Sequence, residues 1–255
     1  MLNVEIMGIL NITPDSFYDG NKNFTSNAIN QSLKKLLKCD IIDVGAESSR
    51  PGSKRITNTE ELDRLELLFD LKIDFTKYIF SIDTYRPTTA YHCLNKGFKI
   101  VNDITGGSEE MFKLCKDFGA KIIIMHMNGT PETMQRQIDS GNILEKIDRF
   151  FKKQISKARE CGLKDSQIII DPGLGFGKRL EDNYTILKNL NSYKKFNLPI
   201  MVGLSRKSFL SNLQPKDKLI NTIISNTYAC LNGVNIIRVH DVEEHLLLKN
   251  MLANF

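Results

Sequence analysis

Eight short apolar runs, rich in Ile and Val, recur along the chain: Val4–Leu10, Ile41–Val44, Tyr78–Ile82, Phe98–Val101, Lys121–Met125, Gln167–Ile170, Leu198–Val202 and Asn235–Val239. Several are continuous rather than alternating, the pattern of strands buried on both faces of a parallel sheet. Helical periodicity fills the stretches between them: Asn27–Leu37, Thr59–Asp74, Arg86–Lys96, Glu109–Phe118, Ile143–Cys161, Glu181–Tyr193, Asp217–Leu231 and Val242–Met251. Asn58-Thr59-Glu60-Glu61 supplies an N-cap with early acids, and Cys161-Gly162 marks a helix end. This predicts a β-α unit repeated eight times without a compositional break, so one domain spanning residues 1–255. A doubly wound open sheet would share the alternation. The length favours a (β/α)8 TIM barrel, which takes about 250 residues.

Each apolar run also ends in a polar, Gly- or Pro-rich burst: NITPDSFYDG, AESSRPGS, DTYRP, NDITGG, HMNGTP, DPGLGFGK, LSRKS and VHDVEEH. A parallel barrel gathers its strand exits onto one face, where the active site is built. Two of these exits, 11–26 and 46–57, are long and read as mobile loops over the site.

Composition narrows the class. The chain is 41% hydrophobic and 25% charged, ordinary for a globular protein. A net charge of +5 comes from 35 basic and 30 acidic residues, with lysines scattered over helical faces. No basic stripe interleaves with aromatics, so a nucleic-acid partner is not expected. Five cysteines without CxxC spacing read as reduced, buried thiols. The first residues run straight into a strand, without a signal-peptide pattern, and no apolar run approaches the roughly 20 residues of a membrane span. A cytoplasmic protein is expected.

Three familiar motifs fail. DPGLGFGK has too few residues between Gly173 and Gly177 for a phosphate loop, and Arg179 stands where Ser or Thr is required. Its glycines more simply allow close backbone approach to a flat ligand. His240 to His245 reads H-D-V-E-E-H, one residue too long for a zinc motif. Ser205-Arg206-Lys207-Ser208 lacks a matched His/Asp orienter for a hydrolase triad.

What remains is consistent. Asp83, Asn102 and Asp171 stand at three strand ends and suit a flat, donor-rich heterocycle, because a carboxylate accepts two parallel N–H bonds from a guanidine-like edge. For a lone Asp the alternative is a helix N-cap; three converging groups weaken it, since unpaired buried charge is expensive. Arg50, Lys207, Arg238 and His240 on the same face suit a phosphate or pyrophosphate. Asn11, Asp15 and Asp19 offer hard oxygens for Mg²⁺, with turn formation the alternative for the two acids. Phe17, Met125 and Phe176 fill core or wall an aromatic-ligand slot.

In order along the chain, Asn11–Asp19, Glu47–Gly52, Ser81–Thr84, Asn102-Asp103, Met125–Pro131, Asp171–Lys178, Gly203–Phe209 and Arg238–Val242 together resemble the dihydropteroate synthase family. The resemblance implies a barrel transferase of folate synthesis, joining p-aminobenzoate to 6-hydroxymethyl-7,8-dihydropterin pyrophosphate. It implies pterin contacts at Asp83, Asn102, Asp171 and Lys207, with Met125 and Phe176 flanking the ring. It implies magnesium at Asn11, pyrophosphate at Arg50, Arg238 and His240, and p-aminobenzoate near Ser49, Pro51, Phe17 and Ser208. Asp19 counts among the substrate-facing groups. Asp83, Arg238, His240 and Lys207 are the expected catalytic set, and a homodimer is the expected assembly. Ser49 stands where the family usually has Thr, and Ala46 where it often has Gly, which bears on sulfonamide affinity. A pterin-dependent methyltransferase shares the Asp and Asn positions but needs neither the SRK and RVH cations nor NITPDSF. A non-catalytic pterin-binding module would be expected to lose the leaving-group residues, which are all present.

Overall fold

The computed structural model describes residues 2–13, 26–48, 53–129, 141–210 and 215–254. Asp15, Phe17, Asp19, Ser49, Arg50 and Pro51 lie outside the described residues, as do 14–25 and 49–52 of the two long exits.

Strands form where the Ile- and Val-rich runs lie: β1 (Glu5–Asn11), β2 (Ile41–Gly45), β3 (Phe80–Asp83), β4 (Ile100–Asp103), β5 (Lys121–Met125), β6 (Ile168–Asp171), β7 (Met201–Val202) and β8 (Ile236–Val239). Each is followed by a helix: α1 (Ser26–Leu36), α2 (Asn58–Phe69), α3 (Pro87–Asn95), α4 (Glu109–Asp117), α5 (Ile143–Glu160), α6 (Leu180–Lys188), α7 (Pro215–Leu231) and α8 (Val242–Leu252). All strand pairs are parallel, in the order β6-β5-β4-β3-β2-β1-β8-β7. The β1–β8 pairing, with Glu5 opposite Ile236, excludes the open doubly wound sheet. Ile170 and Ile200 bridge β6 to the start of β7 and bring the barrel round.

Strand side chains alternate in direction with period two. Val44, Ile82, Val101, Ile122, Ile124, Ile168, Ile170, Val202, Ile237 and Val239 point outward and share one apolar cluster with the helices. Met7, Ile41, Ile100, Ile123, Ile169, Met201 and Ile236 point inward and form a separate plug inside the barrel. The next inward positions, two residues along, are Ile9, Asp43, Asn102, Met125, Asp171, Gly203 and Arg238. The polar strand ends are therefore the upper storey of the barrel interior, carried on an apolar floor.

Some boundaries differ from the periodicity. The apolar spacing that continues to Asp74 does not extend α2, which stops at Phe69: Lys72 turns left-handed at φ 52°, and Asp74 instead caps a 3-10 turn by accepting from Thr76. The N-cap of α2 is Thr57, whose hydroxyl accepts the Glu60 N–H, rather than Asn58. Helix α6 ends at Lys188, and a 3-10 segment, Leu190–Phe196, takes over the rest of its expected span. Cys161 does end α5, with Gly162 at φ 93° behind it. Of the cysteines, Cys93, Cys115 and Cys230 are buried, whereas Cys39 and Cys161 are half-buried, so the expectation of five buried thiols holds for three.

Candidate active site

A cavity of about 570 Å³ opens at the carboxyl ends of the strands. Asn11, Asp83, Asn102, Met125, Asp171, Phe176, Lys207, Ser208, Arg238 and His240 all line it. These are all of the expected site residues that fall within the described part of the chain, and they come from β1, β3, β4, β5, β6, β8 and the segments after β6, β7 and β8.

Asp171 ends β6 and is 4% exposed; its Oδ1 accepts the Gly173 N–H at 2.7 Å. Burial pushes its carboxyl up to about 6, against the pull of that bond and of Lys207. Asn102 gives its Nδ2 to Asp43 at 3.1 Å, and its Oδ1 has no protein partner. Phe176 and Met125 supply apolar wall. The Lys207 ammonium sits 4.0 Å from the centroid of the Phe176 ring, a cation–π contact. Burial, then the nearby Arg238, lowers Lys207 to about 8.

Arg238 has partners that its sequence neighbourhood does not name. Its Nε donates to Asp43 at 2.6 Å and its Nη2 to Asp83 at 2.8 Å, so two of its three nitrogens are engaged by buried carboxylates. It ties two buried carboxylates together at the cavity wall, and Asp83 is an ion-paired carboxylate. Burial pushes Asp83 upward, Arg238 opposes that, and Asp43 adds to it. Asp43 itself is fully buried and escaped the sequence reading, where it passed as one acid inside an apolar run. Parity exposes it: Asp43 shares the inward face of β2 with Ile41.

His240 follows β8, and Ser205 accepts its backbone N–H at 3.2 Å and lies 2.9 Å from its Nδ1. Ser205 thus does meet a histidine, contrary to expectation, and the contact fixes the imidazole at the cavity wall. Asp241 is taken by Arg206, whose Nε donates to it at 3.0 Å. His245, the other end of the H-D-V-E-E-H run, is a core residue; its ring nitrogens contact Asn226 at 2.9 Å and the Asp241 carbonyl at 2.5 Å.

The glycine loop after β6 serves two ends. A Cβ on Gly173 would stand 2.0 Å from the His126 carbonyl oxygen, so this glycine permits contact between neighbouring loops rather than with a ligand. Gly175 lines the cavity. Lys178 is buried and donates to the carbonyls of His126, Gly173 and Phe176, stapling the loop from inside. The β2 exit is anchored by Arg86, which bonds Glu47, Glu61 and the Ile56 carbonyl, and by Arg64, which bonds the Ala46 carbonyl. Ala46 points its methyl into the outer core, so its departure from Gly concerns packing. Glu47, Ser48 and Thr13 line the cavity without having been singled out.

Residues 7–240 match the model of the pterin-binding enzyme family. The chain is 36% identical over 248 residues to the dihydropteroate synthase of Escherichia coli, covering 94% of this chain and 87% of that protein. It belongs to the dihydropteroate synthase family. The family's members are transferases of folate biosynthesis, and this chain is one. It is also 38% identical to a bifunctional dihydropteroate synthase/dihydropteroate reductase of Helicobacter pylori, covering 95% of this chain but only 65% of that protein. The fold agrees with that of the Xanthomonas albilineans dihydropteroate synthase solved with 4-aminobenzoic acid: TM-score 0.90 at 27% identity, over 99% of this chain and 93% of that one. No helix among the described residues is long and apolar enough to cross a membrane.

Proposed function

We propose that this cavity joins p-aminobenzoate to 6-hydroxymethyl-7,8-dihydropterin pyrophosphate. The methylene–oxygen bond breaks and releases pyrophosphate, the amine nitrogen then bonds to the methylene, and the amine proton leaves with solvent. The observation that carries the reading is that Asp171 and Asn102 both line the cavity at the ends of β6 and β4. Asp171 and the Asn102 carbonyl oxygen are acceptors, matched to the amino and ring N–H groups of a pterin edge. Met125 and Phe176 offer faces to the ring.

An arylamine is neutral at pH 7 and needs no strong base, so the demand falls on the leaving group. Lys207 and Arg238 bring positive charge, and His240 a hydrogen-bonding ring, to where pyrophosphate departs. The Asp83–Arg238 pair sets a carboxylate near the methylene, suited to an SN1-like path in which positive charge builds there. Arg50, Ser49, Pro51, Phe17, Ser208 and Asp19 complete the substrate contacts in this reading.

Magnesium fits the donor set modestly. A Cβ on Gly45 would stand 3.5 Å from Asn11 Oδ1 and 3.7 Å from Asp83 Oδ2, so two hard oxygens lie close together beside the end of β2. Among the described residues no cluster of three or more His, Cys, Asp or Glu could hold a metal alone. An ion here would be held largely by substrate phosphates and water, with Asn11 as its protein ligand. When bound, such an ion supplies charge neutralisation to the pyrophosphate.

A homodimer and a cytoplasmic location complete the proposal. Ile220, Ile224, Tyr228 and Leu231 form an exposed stripe along α7, and Leu247 and Met251 one along α8, the kind of apolar patch that marks an interface. The five free thiols suit a reducing compartment. The deciding experiment measures p-aminobenzoate-dependent pyrophosphate release with and without Mg²⁺. Release that needs both substrates is expected; none from folded protein would sink the synthase reading.

A further inference from the structure

Asp43 has no contact with the cavity surface, yet it touches two groups that do. Its Oδ2 accepts from Arg238 Nε at 2.6 Å and from Asn102 Nδ2 at 3.1 Å. A carboxylate salt-bridged to arginine has only acceptor capacity. The Asn102 amide must therefore turn its NH₂ towards Asp43, and its Oδ1 is the atom left without a protein partner. The choice follows from Asp43 chemistry, since either amide orientation would fit the same volume.

We infer that Asp43 is a positioning residue that sets the hydrogen-bonding sense of Asn102, so that the site accepts rings with a donor at this edge and rejects rings with an acceptor there. The inference rests on the pterin reading above. A 2-amino-4-oxo ring presents N–H groups to Asn102 and Asp171. A 2,4-dioxo ring of the same shape presents oxygen to oxygen at Asn102, leaving buried acceptors unpaired. Discrimination between the two is then set partly by a residue that neither ring touches.

The test is calorimetric binding of 6-hydroxymethylpterin and 6-hydroxymethyllumazine to the native chain and to Asp43→Ala, Asp43→Asn and Asn102→Ala. In Asp43→Ala the Asn102 amide is free to rotate, and the lumazine/pterin Kd ratio should fall roughly 10-fold. Asp43→Asn keeps an acceptor oxygen where Oδ2 stands and should restore the native ratio. Asn102→Ala removes the reader and should lower the ratio by itself. Loss of affinity for both rings by one factor in Asp43→Ala, with the ratio unchanged, would show a merely structural role and overturn the inference. So would an unchanged ratio in Asn102→Ala, which leaves the Asp43–Arg238 pair intact. If Asp43→Ala does not fold, Asp43→Leu, close in volume and without an acceptor, takes its place. Native protein that binds neither ring overturns the pterin reading itself, and the inference with it.

Discussion

The floor and the upper storey of the barrel interior are built by the same strands, two residues apart. Ile41 is followed by Asp43, Ile100 by Asn102, Ile169 by Asp171 and Ile236 by Arg238. Both layers are almost dry: Ile123 is 0% exposed, and Asp43 equally so. They solve burial differently. The floor needs only volume, and its contribution comes from apolar area and close packing. The storey above it buries charge, which is tolerable only while each group keeps its partner. The comparison teaches that the floor stabilises the fold while the storey spends some of that stability on holding Asp43, Asp83 and Arg238 ready for a ligand.

The sharpest way to break the comparison is Arg238→Ala. It leaves Asp43 and Asp83 buried together without a cation, and should cost about 3–5 kcal/mol of stability, besides abolishing turnover. Urea denaturation measures the first and pyrophosphate release the second. Full stability with lost turnover would mean that the triad is not a structural unit.

Ile123→Ala, one layer down, should also destabilise, by about 2–4 kcal/mol, because it opens a cavity that the β5 backbone cannot collapse. Here the activity per folded molecule should persist. If turnover fell as steeply as stability, the two layers would not be separable, and the division of labour drawn above would fail.

That division was partly legible in the sequence. The apolar runs and their polar exits reveal strand count, order and the face that carries chemistry, because burial on both sides demands Ile and Val while a strand exit tolerates polar groups. Parity within a strand was the missing step. It separates inward Asn102 from outward Asp103, whose Oδ1 accepts from the Thr105 backbone and hydroxyl, and it brings Asp43 indoors. Partner choice was beyond reach: nothing local to Arg238 reveals that carboxylates 195 and 155 positions away claim its guanidinium. The end of α2 was hidden for a different reason, since the periodic residues Leu71 and Ile73 lie beyond a turn that only the left-handed Lys72 discloses.

Asp171 offers a subtler probe of the storey, through pH. Its carboxyl is raised from 3.8 to about 6 by burial, so the native state holds a proton between those values where the unfolded chain does not. Its contribution to stability therefore falls as pH rises from about 4 to about 6. Pterin binding should run the other way, because accepting two N–H bonds requires the carboxylate. Affinity should rise up to roughly tenfold per pH unit below about 6 and level off above. Asp171→Asn should bind more weakly and lose this pH dependence. A persistent slope in that variant would move the titrating group to Asp83 or Asp103.

The smallest effect concerns the rim. Ser205 holds His240 by its backbone N–H and stands against Nδ1, so Ser205→Ala frees the imidazole to rotate without removing it. One neutral hydrogen bond of this kind contributes about 1 kcal/mol, so turnover should fall several-fold. KM for the pterin substrate should change little, because the floor of the site with Asp171 and Asn102 is untouched. His240→Ala should cost more than Ser205→Ala, and the double variant no more than His240→Ala alone, since the serine then has nothing left to position. Additive losses in that cycle would mean that Ser205 acts on the ligand directly.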